Sequence, residues 1–333
     1  MSDVVPGAAD GRRSRGGLAW RSRLARHGTL IALVALLLVN VLFTPNFLHL
    51  QTLFVNISQV ATIAIVAVGM TLVIATGGID LSVGAVMALA GALAPPIFGS
   101  DFAVAHPALG LVAAIGLPLL VAMACGAFNG VMISVLRVQP IIATLILFIS
   151  GRGIAQVLTN GNLQTFSNPA FSYLGTGRVF GLPFQGWLAL GIAAAAFWVV
   201  TRTIHGRHLL AVGGNERAAE LSGVPVRRVK IGVYMVCAFL SGIAGLVVVA
   251  INSASDAARN GQLMELDAIA AAVVGGALLQ GGRAPVFGAL LGAVIIQLVK
   301  YTLLANGIED EVALIAKAAI IVAAVALQQG RRE

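Results

Sequence analysis

The residues of this chain that could do chemistry sit inside apolar runs. In "TLVIATGGIDLSVGAV", Thr71 to Val86, two glycines, an aspartate and a serine interrupt an apolar run that then resumes. Gly77 and Gly78 permit a positive φ and a close approach of two backbones. Asp80 is placed to cap the next helix, with Ser82 beside it in the same turn. Asn56, Gln59 and Asn129 are amides, and an amide both donates and accepts. They are candidate contacts for a neutral, hydroxyl-bearing ligand, or else glue between helices. Arg152 falls about ten residues into an apolar run. A charge there needs a helix C-terminus, a carboxylate or a polar pathway beside it. His205 and His208 are three apart with no third ligand near, which reads as interfacial and not metal-binding. The apolar runs hold no clustered nucleophile, ligand set or carboxylate pair, so an intramembrane enzyme has nothing to work with. There is no G-x4-G-K-[ST] phosphate loop either, so the chain cannot hydrolyse ATP itself.

The elements that position these residues follow from composition. The chain has 333 residues, of which 59% are hydrophobic and 10% charged. A soluble domain carries about 25% charge. The chain therefore reads as all-α and polytopic in a membrane, since its apolar runs are too long for barrel strands. Runs fall near 27–45, 53–75, 81–98, 108–136, 139–158, 186–202, 229–252, 266–280, 285–304 and 311–328, about ten spans. Pro118 lies inside the fourth. Residues 1–26 read as a basic cytoplasmic tail, 27–328 as one transmembrane domain and 329–333 as a short cytoplasmic tail. With the N-terminus inside, sixteen of the 21 Lys and Arg fall on inner segments, which supports both termini inside. The net charge of +8 is thus a topology signal, not a sign of nucleic acid. Seven acidic residues, Asp101, Asp256, Glu265, Asp267, Glu309, Asp310 and Glu311, are placed at the outer face. They read as solvated or capping residues, or as a docking set for a basic partner.

A shift of 204 residues lays "ATGGIDLSVGAV" over "LQGGRAPVFGAL", matching Gly77, Gly78, Gly84 and Ala85 to Gly281, Gly282, Gly288 and Ala289. This is an internal two-fold repeat of the kind from which transporters are built. On one reading the paired Gly-Gly turns line or gate a pathway. On the other they are tight turns at the inner surface.

The longest inner loop, 203–228, holds a short helix near 213–223. Gly214 precedes it, Asn215 is its N-cap, Glu216 lies in its first turn, Ala219 and Glu220 lie in its body, and Gly223 ends it before Pro225. A helix of about two turns is not stable alone and must pack on something. Its small residues Ala218, Ala219 and Ser222 suit a groove in a cytoplasmic partner.

At this point "GMTLVIATGGIDLSVGAVMALAGA", "AVGGNERAAELSGVPVRRVKI" and "ELDAIAAAVVGGALLQGGRAPVFGALLGAVII" resemble the permease subunits of bacterial monosaccharide ABC importers, the ribose and galactofuranose type. The resemblance runs from about residue 30 onward. It implies a bacterial inner-membrane location and a pair of permeases, identical or paralogous. It also implies a soluble sugar-binding protein outside, and a separate ATPase that binds ATP and magnesium and receives the helix near 213–223. No cofactor would be held by this chain. A stand-alone secondary sugar transporter is the competing expectation, because broken helices and repeats occur there as well.

Overall fold

A computed structural model of the chain describes residues 29–309 and, beyond them, Val312, Leu314, Ile315, Ala318, Ala319 and Val322 in helical conformation. The expected basic tail over 1–26, most of the run 311–328 and the tail 329–333 lie outside the described residues, as do Asp310 and Glu311.

The centre of the molecule is α2 (Leu50–Ala75), whose second half is apolar on nearly all sides. Every residue from Ala61 to Ala75 is buried, as a helix without a polar face requires. Around it pack α8 (Phe184–Arg202), α11 (Val226–Asn252), α12 (Met264–Val274) and α13 (Val286–Ala305). The next helix, α3 (Val83–Phe98), is buried without a break from Val83 to Ala92 and packs between α11, α5 (Pro107–Ser134) and α6 (Pro140–Leu158). The first helix, α1 (Thr29–Phe43), is tied to α13 by polar pairs. Thr302 Oγ1 donates to Asn40 Oδ1 at 2.9 Å, and Asn306 Nδ2 donates to Thr44 Oγ1 at 3.3 Å.

Two features make this a membrane architecture. The outward faces of the peripheral helices carry large apolar side chains, among them Val157 on α6, 76% exposed, and Trp198 on α8, 60% exposed. Lipid is as good a solvent for such a face as a protein interior. Contacts between helices instead use small residues. Gly126 and Gly130, four apart on α5, lie against the backbone of α11. A Cβ at Gly126 would sit 2.7 Å from Met235 Cα, and one at Gly130 2.6 Å from Ile231 Cα. That spacing is the small-xxx-small pattern of close helix packing. Pro118 is accommodated within α5, which stays helical through all 28 residues.

Among the described residues, six helices are long and apolar enough to cross a membrane: α2, α5, α6, α8, α11 and α13. The helices α1 and α3 are apolar but shorter. The run read as a span over 266–280 differs from expectation. It is helical only over the 11 residues of α12, a rise of about 16 Å against about 30 Å of hydrocarbon. The rest of that crossing is irregular. After α11 the chain passes Ser253 in left-handed conformation (φ 49°) and runs back along α3. Asn260 Nδ2 donates to the Met87 carbonyl at 3.0 Å, and Gly261 comes up against Gly84. An unwound segment is tolerated at that depth because it is enclosed by protein. Hydropathy registers the apolar run but not the break.

At the end of the bundle where α2 begins, short elements cover the helices. A strand β1 (Gln164–Thr165) pairs antiparallel with β4 (Ala254–Ser255), and a tight hairpin joins β2 (Arg178–Val179) to β3 (Leu182–Pro183). Helix α4 (Asp101–Ala105) lies between α3 and α5, and α7 (Pro169–Thr176) packs on α8 and α11. At the other end, α9 (Ile204–Gly214) and α10 (Glu216–Leu221) connect α8 to α11.

Candidate functional site

The short helix anticipated near 213–223 is α10. Asn215 adopts an extended conformation that ends α9, and its Oδ1 accepts from the Ala218 N–H at 3.0 Å, capping α10. Gly223 follows with φ +82°, a left-handed conformation that a side chain disfavours, and the chain turns into Pro225 and α11. Glu216, in the first turn, pairs with Lys230 of α11 at 2.7 Å. Of the small residues, Ala218 and Ser222 are exposed and only Ala219 turns inward. Ala219 is buried against Val212 and Val226, so it anchors α10 to its own chain. The exposed face is formed by Arg217, Ala218, Glu220, Ser222 and Leu221, whose side chain is 84% exposed.

Behind α10 lies a polar cavity of about 400 Å³, bounded by Thr76 to Gly78, Gly213 to Glu216, Lys230, Tyr234 and Gln280. The two Gly-Gly turns meet at its wall. The Gly282 N–H donates to the Ala75 carbonyl at 2.9 Å, at the C-terminal end of α2. Gly77 (φ 78°), Gly281 (φ 91°) and Gly282 (φ 79°) are all left-handed. Gly78 is not; its reason is space. A Cβ there would sit 2.5 Å from Tyr234 Oη, which donates to the Ile79 carbonyl at 3.2 Å. Gly213, at the end of α9, is pressed into the same joint, where a Cβ would lie 2.6 Å from the Gly282 nitrogen. The end of α9, Tyr234 of α11 and both turns thus meet at one joint.

Just beyond the first turn, Asp80 is fully buried. Its Oδ1 accepts from the Ser82 N–H at 2.9 Å and the Ser82 Oγ at 2.6 Å, while Oδ2 has no partner among the described residues. The N-cap position of α3 is Ser82, not Asp80; the carboxylate acts one residue-pair earlier, beside the positive end of the α3 dipole. Asn129 is fully buried too, and its Nδ2 donates to Ser82 Oγ at 2.9 Å, tying α5 to the turn.

The three amides grouped as candidate contacts therefore part company. Asn129 belongs to the turn. Asn56 is buried, donates to the Thr52 carbonyl at 3.0 Å and accepts from Gln297 at 3.5 Å between α2 and α13. Gln59 is exposed and lines a small cavity near the start of α2. Arg152 reaches two backbone carbonyls of the unwound segment, Ala257 at 3.2 Å and Ala258 at 2.7 Å. Of the acidic set, Glu265 and Asp267 are buried beside α3 and α2, so they cannot face an external partner in this conformation. Asp101, Asp256 and Glu309 remain accessible.

Sequence reasoning missed Lys230 and Tyr234, although both carry the geometry. Lys230 follows Glu216 by fourteen residues and Tyr234 follows Ile79 by 155, so no local period connects them. The only sequence signal was a basic and an aromatic residue one turn apart on α11.

A family model described as a branched-chain amino acid transport system / permease component matches residues 52–325. The chain belongs to this permease family. The permease is 39% identical over 312 residues to the ribose import permease protein of Escherichia coli strain K12, covering 92% of this chain and 94% of that one. It is also 39% identical over 311 residues to the galactofuranose transporter permease protein of the same strain, covering 91% and 89%. The fructose import permease protein of Bifidobacterium longum is 33% identical over 297 residues, covering 85% and 82%. No solved structure matches the chain. As an ABC-importer permease it is an inner-membrane transport subunit and not an enzyme.

Proposed function

We propose that the permease carries a neutral monosaccharide, ribose-like or galactofuranose-like, across the inner membrane from a soluble binding protein. It is driven by a separate ATPase that holds ATP and magnesium, while this chain holds no cofactor. The permease pairs in the membrane with a second permease, a copy of itself or a paralogue. The end carrying α9 and α10 is cytoplasmic, with both termini on that side.

One observation carries the reading: α10 is wired directly to the broken helices. Its exposed face of Arg217, Ala218, Glu220, Leu221 and Ser222 is what an ATPase cleft would hold. Glu216 in its first turn pairs with Lys230 of α11, and α9, joined to it at Asn215, reaches the Gly-Gly joint through Gly213. A stand-alone carrier has no use for such a connection. When the ATPases close, displacement of α10 would pull on α11, and Tyr234 would carry that movement to Ile79 and the first turn. Turns built on left-handed glycines, and lined by a polar cavity, can change angle at low cost. The second turn is hydrogen-bonded to the first and would follow. The repeat relation between 75–86 and 279–290 is read here as two halves of one gate.

The sugar assignment rests on the relatives and on scarce charge in the spans, which suits a neutral cargo. The test is affinity purification of the tagged chain from its native membrane in mild detergent, with the copurifying proteins identified by mass. Uptake of labelled ribose, galactose, fructose, L-arabinose and leucine is then measured. An ATPase in the preparation and uptake of a sugar support the reading. Leucine uptake in place of sugar would move the cargo to branched-chain amino acids. A chain that purifies alone yet transports would make it a secondary carrier.

A further inference from the structure

The cavity lined by Gln59 lies at the end of the bundle opposite α10. Gln59 and Ala75, sixteen residues apart on one helix, are separated by about 24 Å along its axis. The cavity encloses about 230 Å³ between the first two turns of α2 and the segment running from α7 into α8. This is below the ~300–1,000 Å³ of sites for drug-sized ligands and suits a smaller molecule.

Its lining is polar in a particular way. Gln185, near the start of α8, is fully buried. Its Nε2 donates to the Gly175 carbonyl, which fixes the amide, and its Oε1 is left without a hydrogen-bond partner among the described residues. A buried acceptor left unmet is costly and calls for a donor. Across the cavity, the Arg178 guanidinium lies 4.4 Å from the centroid of the Phe54 ring, a cation–π contact that holds the side chain in place. Arg178 makes no ion pair among the described residues. Gln51, Ser58 and Gln59 complete the α2 side. The lining thus offers fixed donors from the guanidinium, a fixed acceptor from Gln185, and amides that can serve as either. It contains no carboxylate to meet an ammonium group.

We propose that this cavity is a sugar subsite at the mouth of the permease, in which Gln185 and Arg178, with Gln59, recognise individual hydroxyl groups of the monosaccharide. A hydroxyl donates to Gln185 Oε1 and accepts from Arg178, which a neutral polyol can do with one face. Because Gln59 and Ala75 share α2, occupancy is communicated to the Gly-Gly joint through one continuous helix, buried from Ala61 to Ala75. The inference rests on the monosaccharide reading above.

The test uses the complete importer, with its own binding protein and ATPase, in membrane vesicles. Uptake per assembled complex is measured for D-ribose, D-galactose, D-fructose and L-arabinose, each with its monodeoxy analogues, for the wild type and for Gln185→Leu, Arg178→Gln and Gln59→Leu. The binding protein is the same throughout, so its own selectivity cancels between variants. Arg178 and Gln59 are exposed, which keeps their variants free of a folding defect. For whichever sugar the wild type carries, the ratio of parent to deoxy uptake should fall about three- to tenfold for at least one analogue in Gln185→Leu or Arg178→Gln, the effect of one lost hydrogen bond. Ratios unchanged in all three variants would overturn the subsite while leaving the sugar importer standing. An equal fall for every sugar and analogue would also overturn it, since that marks a structural role. A wild type that carries none of the four sugars overturns both.

Discussion

The backbone N–H of Gly282 donates to the carbonyl of Ala75 at 2.9 Å. One residue ends the central helix and the other lies in a glycine turn more than two hundred positions later, so a single hydrogen bond joins the two broken segments of the permease. Gly213, at the end of α9, is packed into the same point. A Cβ at Gly213 would lie 2.6 Å from the Gly282 nitrogen and one at Gly281 2.9 Å from the Gly77 nitrogen, which makes the joint sensitive to very small substitutions.

Gly213→Ala is the most economical probe of that joint. The added methyl group meets the Gly282 nitrogen and the end of α2, so either the joint opens or α9 shifts. The expected outcome is transport reduced at least about tenfold with the chain still inserted and still bound to its ATPase. Thiol accessibility of a cysteine placed at Gln280, on the cavity wall, would report the opening.

Gly78→Val tests the first turn separately. Its φ is ordinary, so the effect is purely one of space against Tyr234 Oη. Overpacking of this sort costs roughly 1–3 kcal/mol. Transport should be lost, and Gly78→Val combined with Tyr234→Ala should recover part of it. Unchanged uptake in the single variant would leave the turn a bland connection.

Tyr234→Phe removes only the hydrogen bond to the Ile79 carbonyl. A neutral bond of this kind contributes about 0.5–1.5 kcal/mol, so thermal stability in detergent should fall slightly and uptake several-fold. ATP hydrolysis by the complex should change less than uptake, since the defect lies between α11 and the turn.

Lys230→Glu breaks the link between α11 and α10. Glu216 is 52% exposed on its side chain, so the pair adds little to stability, within about 0–1 kcal/mol. The expected defect is one of coupling: ATP hydrolysis continues while uptake drops. The charge-reversed double variant Glu216→Lys, Lys230→Glu should restore a large part of it, as a double-mutant cycle would quantify.

Asn129→Leu leaves the Ser82 hydroxyl, which itself donates to the buried Asp80, with one fewer partner. Destabilisation of about 1–3 kcal/mol is expected, measured as a lower unfolding midpoint. If Asn129 instead contacted sugar, affinity would change with stability unaffected.

Several elements were legible from local chemistry. The short helix after Gly213-Gly214 begins at its Asn cap and ends at its Gly cap, because caps act over three or four residues. The apolar runs became helices, since length and hydropathy are local quantities. The eighth run, expected over 266–280, is helical only from Met264 to Val274, and the unwound residues 253–263 before it lie against α3 at Gly84 and Gly91, a long-range approach that hydropathy does not register. The inward turn of Ala219 and the burial of Glu265 and Asp267 were equally out of reach, as each depends on a neighbour distant in the chain.

The sequence by itself determined that this chain lives in a membrane, where the short helix after Gly213-Gly214 starts and stops, and that its motifs belong to an importer permease. Those properties follow from composition, caps and motifs, all of which act within a few residues. Only the tertiary structure decided that both turns, α9 and α11 meet at one point, that Asn129 serves the turn while Gln59 lines a cavity, and that Gln185 and Arg178 face it. Such pairings are set by long-range packing, where the spacing between partners carries no period to read.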